Sequence, residues 1–101
     1  MSDDDGRDDD DLLRRLERGD ERALIDLFAR HRERLRRMVR LRLDRRLQGR
    51  IDSSDVLQEA HLEVARRARE YLEQRTMPPY LWFRFLTGQA LLALQDRKSV
   101  V

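Results

Sequence analysis

Residues 51–62 read Ile-Asp-Ser-Ser-Asp-Val-Leu-Gln-Glu-Ala-His-Leu (IDSSDVLQEAHL), and they have the pattern of the front of an amphipathic helix. Asp52 is placed to accept backbone N–H bonds at the N-cap. Asp55 follows three residues later, where a short acid can reach back and suits the positive end of the helix. Val56, Leu57, Ala60 and Val64 recur at helical spacing and predict a core-facing stripe. Asp55, Gln58, Glu59 and Leu62 fall a turn apart and make a second, mixed face. On periodicity alone, an ordinary solvated surface is the simpler account of that face.

Working outward, the chain is a series of helical segments with clear stops. Upstream, Asp11 to Arg18 is a short helix carrying Leu12, Leu13 and Leu16; Gly19 ends it and Asp20 caps the next. A second helix is expected from Glu21 to Leu47, burying Leu24, Leu27, Phe28, His31, Leu35, Met38 and Val39. Its arginines, Arg30, Arg34, Arg37, Arg40 and Arg45, lie off that stripe and are expected in solvent. Gln48-Gly49-Arg50 is a turn. The third helix runs from Ser53 to Gln74, with Leu57, Ala60, His61, Val64, Ala68, Tyr71 and Leu72 inward.

Glu73 to Pro79 is expected to be a loop, because Pro78 and Pro79 bar continuation of the helix and push Met77 out of the α region. Pro79 suits the first turn of a fourth helix ending near Arg97. That helix is apolar nearly all round, with Leu81, Trp82, Phe83, Phe85, Leu86, Leu91, Leu92 and Leu94. Trp82, Phe85 and Leu86 are expected in the core, and the surplus apolar side chains at the surface. The fold class is all-α, a three- to four-helix bundle.

Composition narrows the function. The chain of 101 residues is 42% charged and 40% hydrophobic, enough for one small helical domain. No apolar run approaches the roughly 20 residues of a membrane span. The acidic start is no secretory signal, and the absence of cysteine excludes disulfides and thiolate metal sites. A cytoplasmic setting without membrane contact is the expectation. The formal net charge of +2 conceals a division. Residues 1–11 hold seven aspartates and one arginine and read as a disordered acidic tail. A solubilising flank is its simpler role, and competition for a basic surface the functional one. The remainder holds 21 bases against 13 acids, a charge of +8 that suits a polyanionic partner or an arginine-rich solvated surface.

No nucleophile, base and oxyanion donor form a set, and no glycine-rich phosphate loop is present, so no enzyme is expected. Two histidines without cysteine make no metal site, and no cofactor is implied. Binding chemistry is better represented. Arg75, Tyr80, Trp82, Phe83, Arg84, Gln89, Arg97 and Lys98 combine flat rings, cations and an amide, which suit stacking on unpaired bases and contact with phosphates. Glu73, Gln74, Arg75 and Thr76 add donors and acceptors able to read an extruded base.

Asp55-Val56-Leu57-Gln58-Glu59 also resembles the D-L-V-Q-E signature that opens region 2.2 of the extracytoplasmic-function (ECF) group of bacterial sigma factors. Ala23 to Phe28 with Leu35 resembles region 2.1, and Tyr80 to Gln89 stands where regions 2.3 and 2.4 carry an aromatic run ending in an amide. The likeness covers Asp11 to Lys98. It implies a transcription-initiation module, residues 12–98, that binds core RNA polymerase through the β′ coiled coil and melts the −10 promoter element. The polymerase face would fall on Asp55, Leu57, Gln58, Glu59 and Leu62. Contact with the −10 non-template strand would fall on Glu73, Gln74, Arg75, Thr76, Tyr80, Trp82, Arg84, Gln89, Arg97 and Lys98. An anti-sigma factor is a further partner of such modules. The chain departs from the pattern at His61, Ala65, Gln89, Ala93 and Gln95 to Lys98. The family's region 4 helix-turn-helix domain is absent from these residues, as in a fragment or a single-domain protein. The competing class is a helical protein–protein module that never touches DNA.

Overall fold

The computed structural model describes residues 3–99, with side chains over residues 9–98. It is all-helical: α1 (Asp3–Glu17), α2 (Arg22–Arg30), α3 (Arg32–Arg42), a single 3-10 turn (Arg45–Leu47), α4 (Ser53–Gln74) and α5 (Pro79–Ser99). The helices pack as a bundle in which α4 and α5 form the central antiparallel pair. The other helices cover it.

Local signals account for the ends. Gly19 adopts φ +89°, the left-handed turn that stops α1. The Asp20 carboxylate accepts from the Arg22 N–H at 3.0 Å and from Arg15 Nε at 3.0 Å, so one side chain both caps α2 and ties it to α1. Asp52 caps α4, accepting from the Ser54 N–H at 3.1 Å. Arg36 of α3 reaches the same end, donating to Ser54 Oγ at 3.1 Å.

Two expectations change. The single helix expected over Glu21–Leu47 is interrupted at His31 (φ −100°, ψ 7°) and closes at Arg42. At His31 the ring is engaged from outside the helix, with Nε2 3.1 Å from Asp9 and its centre 5.1 Å from that of the tilted Tyr80 ring. At the other end, Asp44 leaves the helix for an extended conformation and accepts from the Arg46 N–H at 2.9 Å, starting the 3-10 turn. The Asp44 N–H donates to Gln95 Oε1 at 2.8 Å, which fixes that turn to the far end of α5. The acidic start was expected to lack structure, whereas helix α1 begins at Asp3.

The core has two parts. The larger gathers Leu12 and Leu16 of α1, Leu24, Leu27 and Phe28 of α2, Leu35 of α3, Leu57, Ala60 and Val64 of α4 and Trp82, Phe83 and Leu86 of α5. Its centre is aromatic, with Phe83 edge-on to Phe28 at 5.3 Å and Trp82 stacked on Tyr71 at 4.4 Å. The smaller part joins Met38, Val39, Leu47, Ile51, Val56 and Leu91. His61 packs edge-on to Phe28 at 5.6 Å, the packed role expected of it.

Candidate functional site

The structure sorts the candidate residues into three surfaces and a core. On α4, Asp55, Gln58, Glu59 and Leu62 are all exposed and lie one turn apart, so the mixed face exists as a surface. Leu57 does not belong to it. That side chain is fully buried, because it lies on the Val56–Ala60–Val64 side of the helix. The C-terminal end of α5 runs beside this face. Asp55, Gln58 and Glu59 line one groove of about 540 Å³ with Leu94, Arg97 and Lys98. Carboxylates and an amide on one wall therefore face cations on the other, joining residues assigned by resemblance to two separate partners.

The loop residues occupy the opposite end of the hairpin, about 30 Å away along α4 at 1.5 Å per residue. Glu73 and Gln74 complete the last turn of α4, so the connection is only Arg75 to Pro78. Arg75 takes the left-handed conformation (φ 40°, ψ 53°), and its N–H donates to the Tyr71 carbonyl at 2.7 Å. The Tyr71 hydroxyl donates to the Met77 carbonyl at 2.6 Å, holding the loop from below. Glu73 and Arg75 line a cleft of about 410 Å³ with Leu16, Glu17, Gly19, Glu21, Arg69 and Leu72. With three carboxylates and two guanidiniums, that cleft has no positive excess to draw a phosphate.

Tyr80 and Arg84 point elsewhere. They meet α3 in a groove of about 360 Å³ whose other walls are Arg34, Arg37, Met38, Leu41 and Arg42. Four guanidiniums line this groove and no carboxylate does. Arg34 lies over the Tyr80 ring at 4.2 Å, a cation–π contact that holds both groups at the surface. The groove is thus cationic, with an aromatic face at one end and apolar Leu41, 86% exposed, on its wall. Its α3 arginines were expected to be merely solvated. Only their apposition to α5 makes them a site, and no signal within α3 discloses it.

Two aromatic expectations reverse on α5. Trp82 was assigned to DNA contact as well as to the core; it is 8% exposed and stacked on Tyr71, so its ring is a core element. Phe85 was expected in the core and is 52% exposed. With Leu81 and Leu92 it forms an exposed stripe at i, i+4 and i+11. Gln89 is exposed, apart from the three surfaces.

Among the described residues, no group of three or more His, Cys, Asp or Glu side chains could hold a metal ion, and no helix is long and apolar enough to cross a membrane. Comparison with protein-family models, with curated proteins and with solved structures yields no match to this chain.

Proposed function

We propose that this bundle is a transcription-initiation module of the ECF sigma region 2 type, one that docks on core RNA polymerase and engages unpaired promoter DNA of the −10 element. The observation that carries this reading is the arginine groove between α3 and α5. Arg34, Arg37, Arg42 and Arg84 supply phosphate contacts without a competing carboxylate, and Tyr80 supplies a ring for a base. The second support is the exposed Asp55–Gln58–Glu59–Leu62 face, which carries the region 2.2 resemblance on side chains that are free of the core. Docking falls to that face, and strand capture to the groove. Neither role uses Trp82 or Leu57, whose burial makes them supports of the surfaces above them.

The test has two arms. In a pull-down with core RNA polymerase, Asp55→Ala and Gln58→Ala should each reduce capture while leaving helix content unchanged, since both side chains are exposed. Capture equal to wild type in both variants refutes the docking face. In the second arm, a labelled −10 non-template oligonucleotide should bind with steep salt dependence, and Arg37→Ala should weaken it. Salt-independent binding, or none, refutes the groove.

One feature favours a second reading, a helical module whose partner is another protein. Leu81, Phe85 and Leu92 expose apolar surface along α5, as docking helices do. Capture of polymerase without any oligonucleotide binding would select it.

A further inference from the structure

The arginine groove does not end at Tyr80. The His31 ring lies 5.1 Å from the Tyr80 ring, and Arg30 precedes it at the close of α2. Both side chains meet one carboxylate. Arg30 Nε donates to Asp9 Oδ1 at 2.8 Å, and His31 Nε2 lies 3.1 Å from Asp9 Oδ2. The contact is part-buried at His31 and open to solvent at Arg30, with the Asp9 and Arg30 side chains each 27% exposed and His31 17% exposed. Asp9 comes from the acidic start of α1, more than 20 residues away in sequence.

A carboxylate gripped on both oxygens by a guanidinium and an imidazole stands where a phosphate would. Both ligands are anionic acceptors with divergent oxygens, and arginine recognises either by the same fork. Along α3 the cations follow one another as Arg42, Arg37 and Arg34, and the next cation in the chain's course is Arg30 at the close of α2, with the His31 ring beside it. We propose that Arg30 and His31 are the terminal phosphate subsite of the nucleic-acid groove, and that Asp9 fills it in the free protein as an internal competitor. This rests on the groove being a nucleic-acid surface. A strand following the groove reaches Arg30 only by displacing Asp9. The displacement is confined to the start of α1, because Leu12 and Leu16 anchor the rest of that helix in the core. The acidic segment then sets a threshold, since short or weakly held polyanions fail to expel it.

The experiment is fluorescence anisotropy of a labelled single-stranded oligonucleotide against the whole chain across a salt series. Asp9→Asn should bind several-fold more tightly than wild type, with a steeper dependence on salt because one more phosphate is engaged. Asp9→Glu should stay near wild type. Asp26→Asn removes the same charge from a carboxylate that pairs with Arg15 at 3.4 Å and lines none of the groove, so it measures the effect of net charge alone. Equal gains in Asp9→Asn and Asp26→Asn, or no gain in Asp9→Asn with its thermal melt unchanged, overturn the subsite. Failure of the groove itself looks different: Arg37→Ala then binds as wild type does. An oligonucleotide that binds none of these proteins overturns both.

Discussion

Replacing Tyr71 by phenylalanine isolates the bond that holds the α4–α5 connection. The ring is buried and stacked on Trp82 at 4.4 Å, and the substitution leaves both features in place. What disappears is the hydroxyl and its 2.6 Å bond to the Met77 carbonyl. Such a bond contributes about 0.5–1.5 kcal/mol net. Met77 is only half-buried, so water can reach its carbonyl in the variant, and the loss should stay within that range rather than the larger cost of an orphaned acceptor. For a domain of this size, 1 kcal/mol lowers the melting temperature by roughly 4–8 °C. The pH dependence gives a second readout. Burial pushes the Tyr71 phenol above its ordinary value of 10.0, against a smaller opposite pull from Arg75. The folded state therefore holds that proton more tightly than the unfolded chain. Its contribution is complete below pH 10 and is lost as pH rises through the folded value. Thermal melts followed by circular dichroism from neutral to alkaline pH should show wild type losing stability faster than Tyr71→Phe. Equal melting temperatures together with superimposable alkaline limbs would refute the claim that this hydroxyl fixes the loop.

Three further outcomes follow from burial and backbone geometry. Leu57→Ala should destabilise by about 2–5 kcal/mol in a denaturant titration, because the side chain is fully enclosed, and any loss of polymerase capture in it should track unfolding. Thr87→Val should raise stability by about 1 kcal/mol, since the Thr87 hydroxyl is buried without a hydrogen-bond partner among the described residues and the methyl needs none; a lower melting temperature would show that the oxygen is satisfied. Arg75→Gly should stabilise by about 0.5–1 kcal/mol, because glycine takes the left-handed φ of 40° without the clash that arginine meets there, and the 3.8 Å pair with Glu17 that it loses is weak. A melt of that variant at or below wild type would show that the Arg75 contacts, to Glu17 and to the Tyr71 phenol, outweigh the strain.

The difference between what the sequence discloses and what it hides has a physical pattern. Asp52, Gly19, Asp20 and Pro79 act within a few residues of themselves, so helix ends were legible wherever a cap or a breaker stands. Apolar stripes on α2, α3 and α4 were legible because each of those helices has one polar side. α5 has none: its apolar residues surround it, and periodicity cannot say which ring turns inward. The answer came from a neighbour, since Tyr71 offers Trp82 a stacking face while Phe85 is left 52% exposed. The interruption at His31 was hidden for the same reason, its partners being Asp9 and Tyr80, distant in the chain and adjacent in space.

The arginine groove obeys this rule most strictly. Arg34, Arg37 and Arg42 on an isolated helix are a solvated face, with each charge free to turn to water. Beside Tyr80 and Arg84 they become one cationic wall, and bringing these four arginines together near Arg30 costs repulsion that folding must offset. Asp9 reduces that cost at Arg30, beside His31. Under the function proposed above, the chain carries its own anion for the time when a polyanionic partner is absent. On this view Asp9 and the end of the basic groove are two halves of one electrostatic contact.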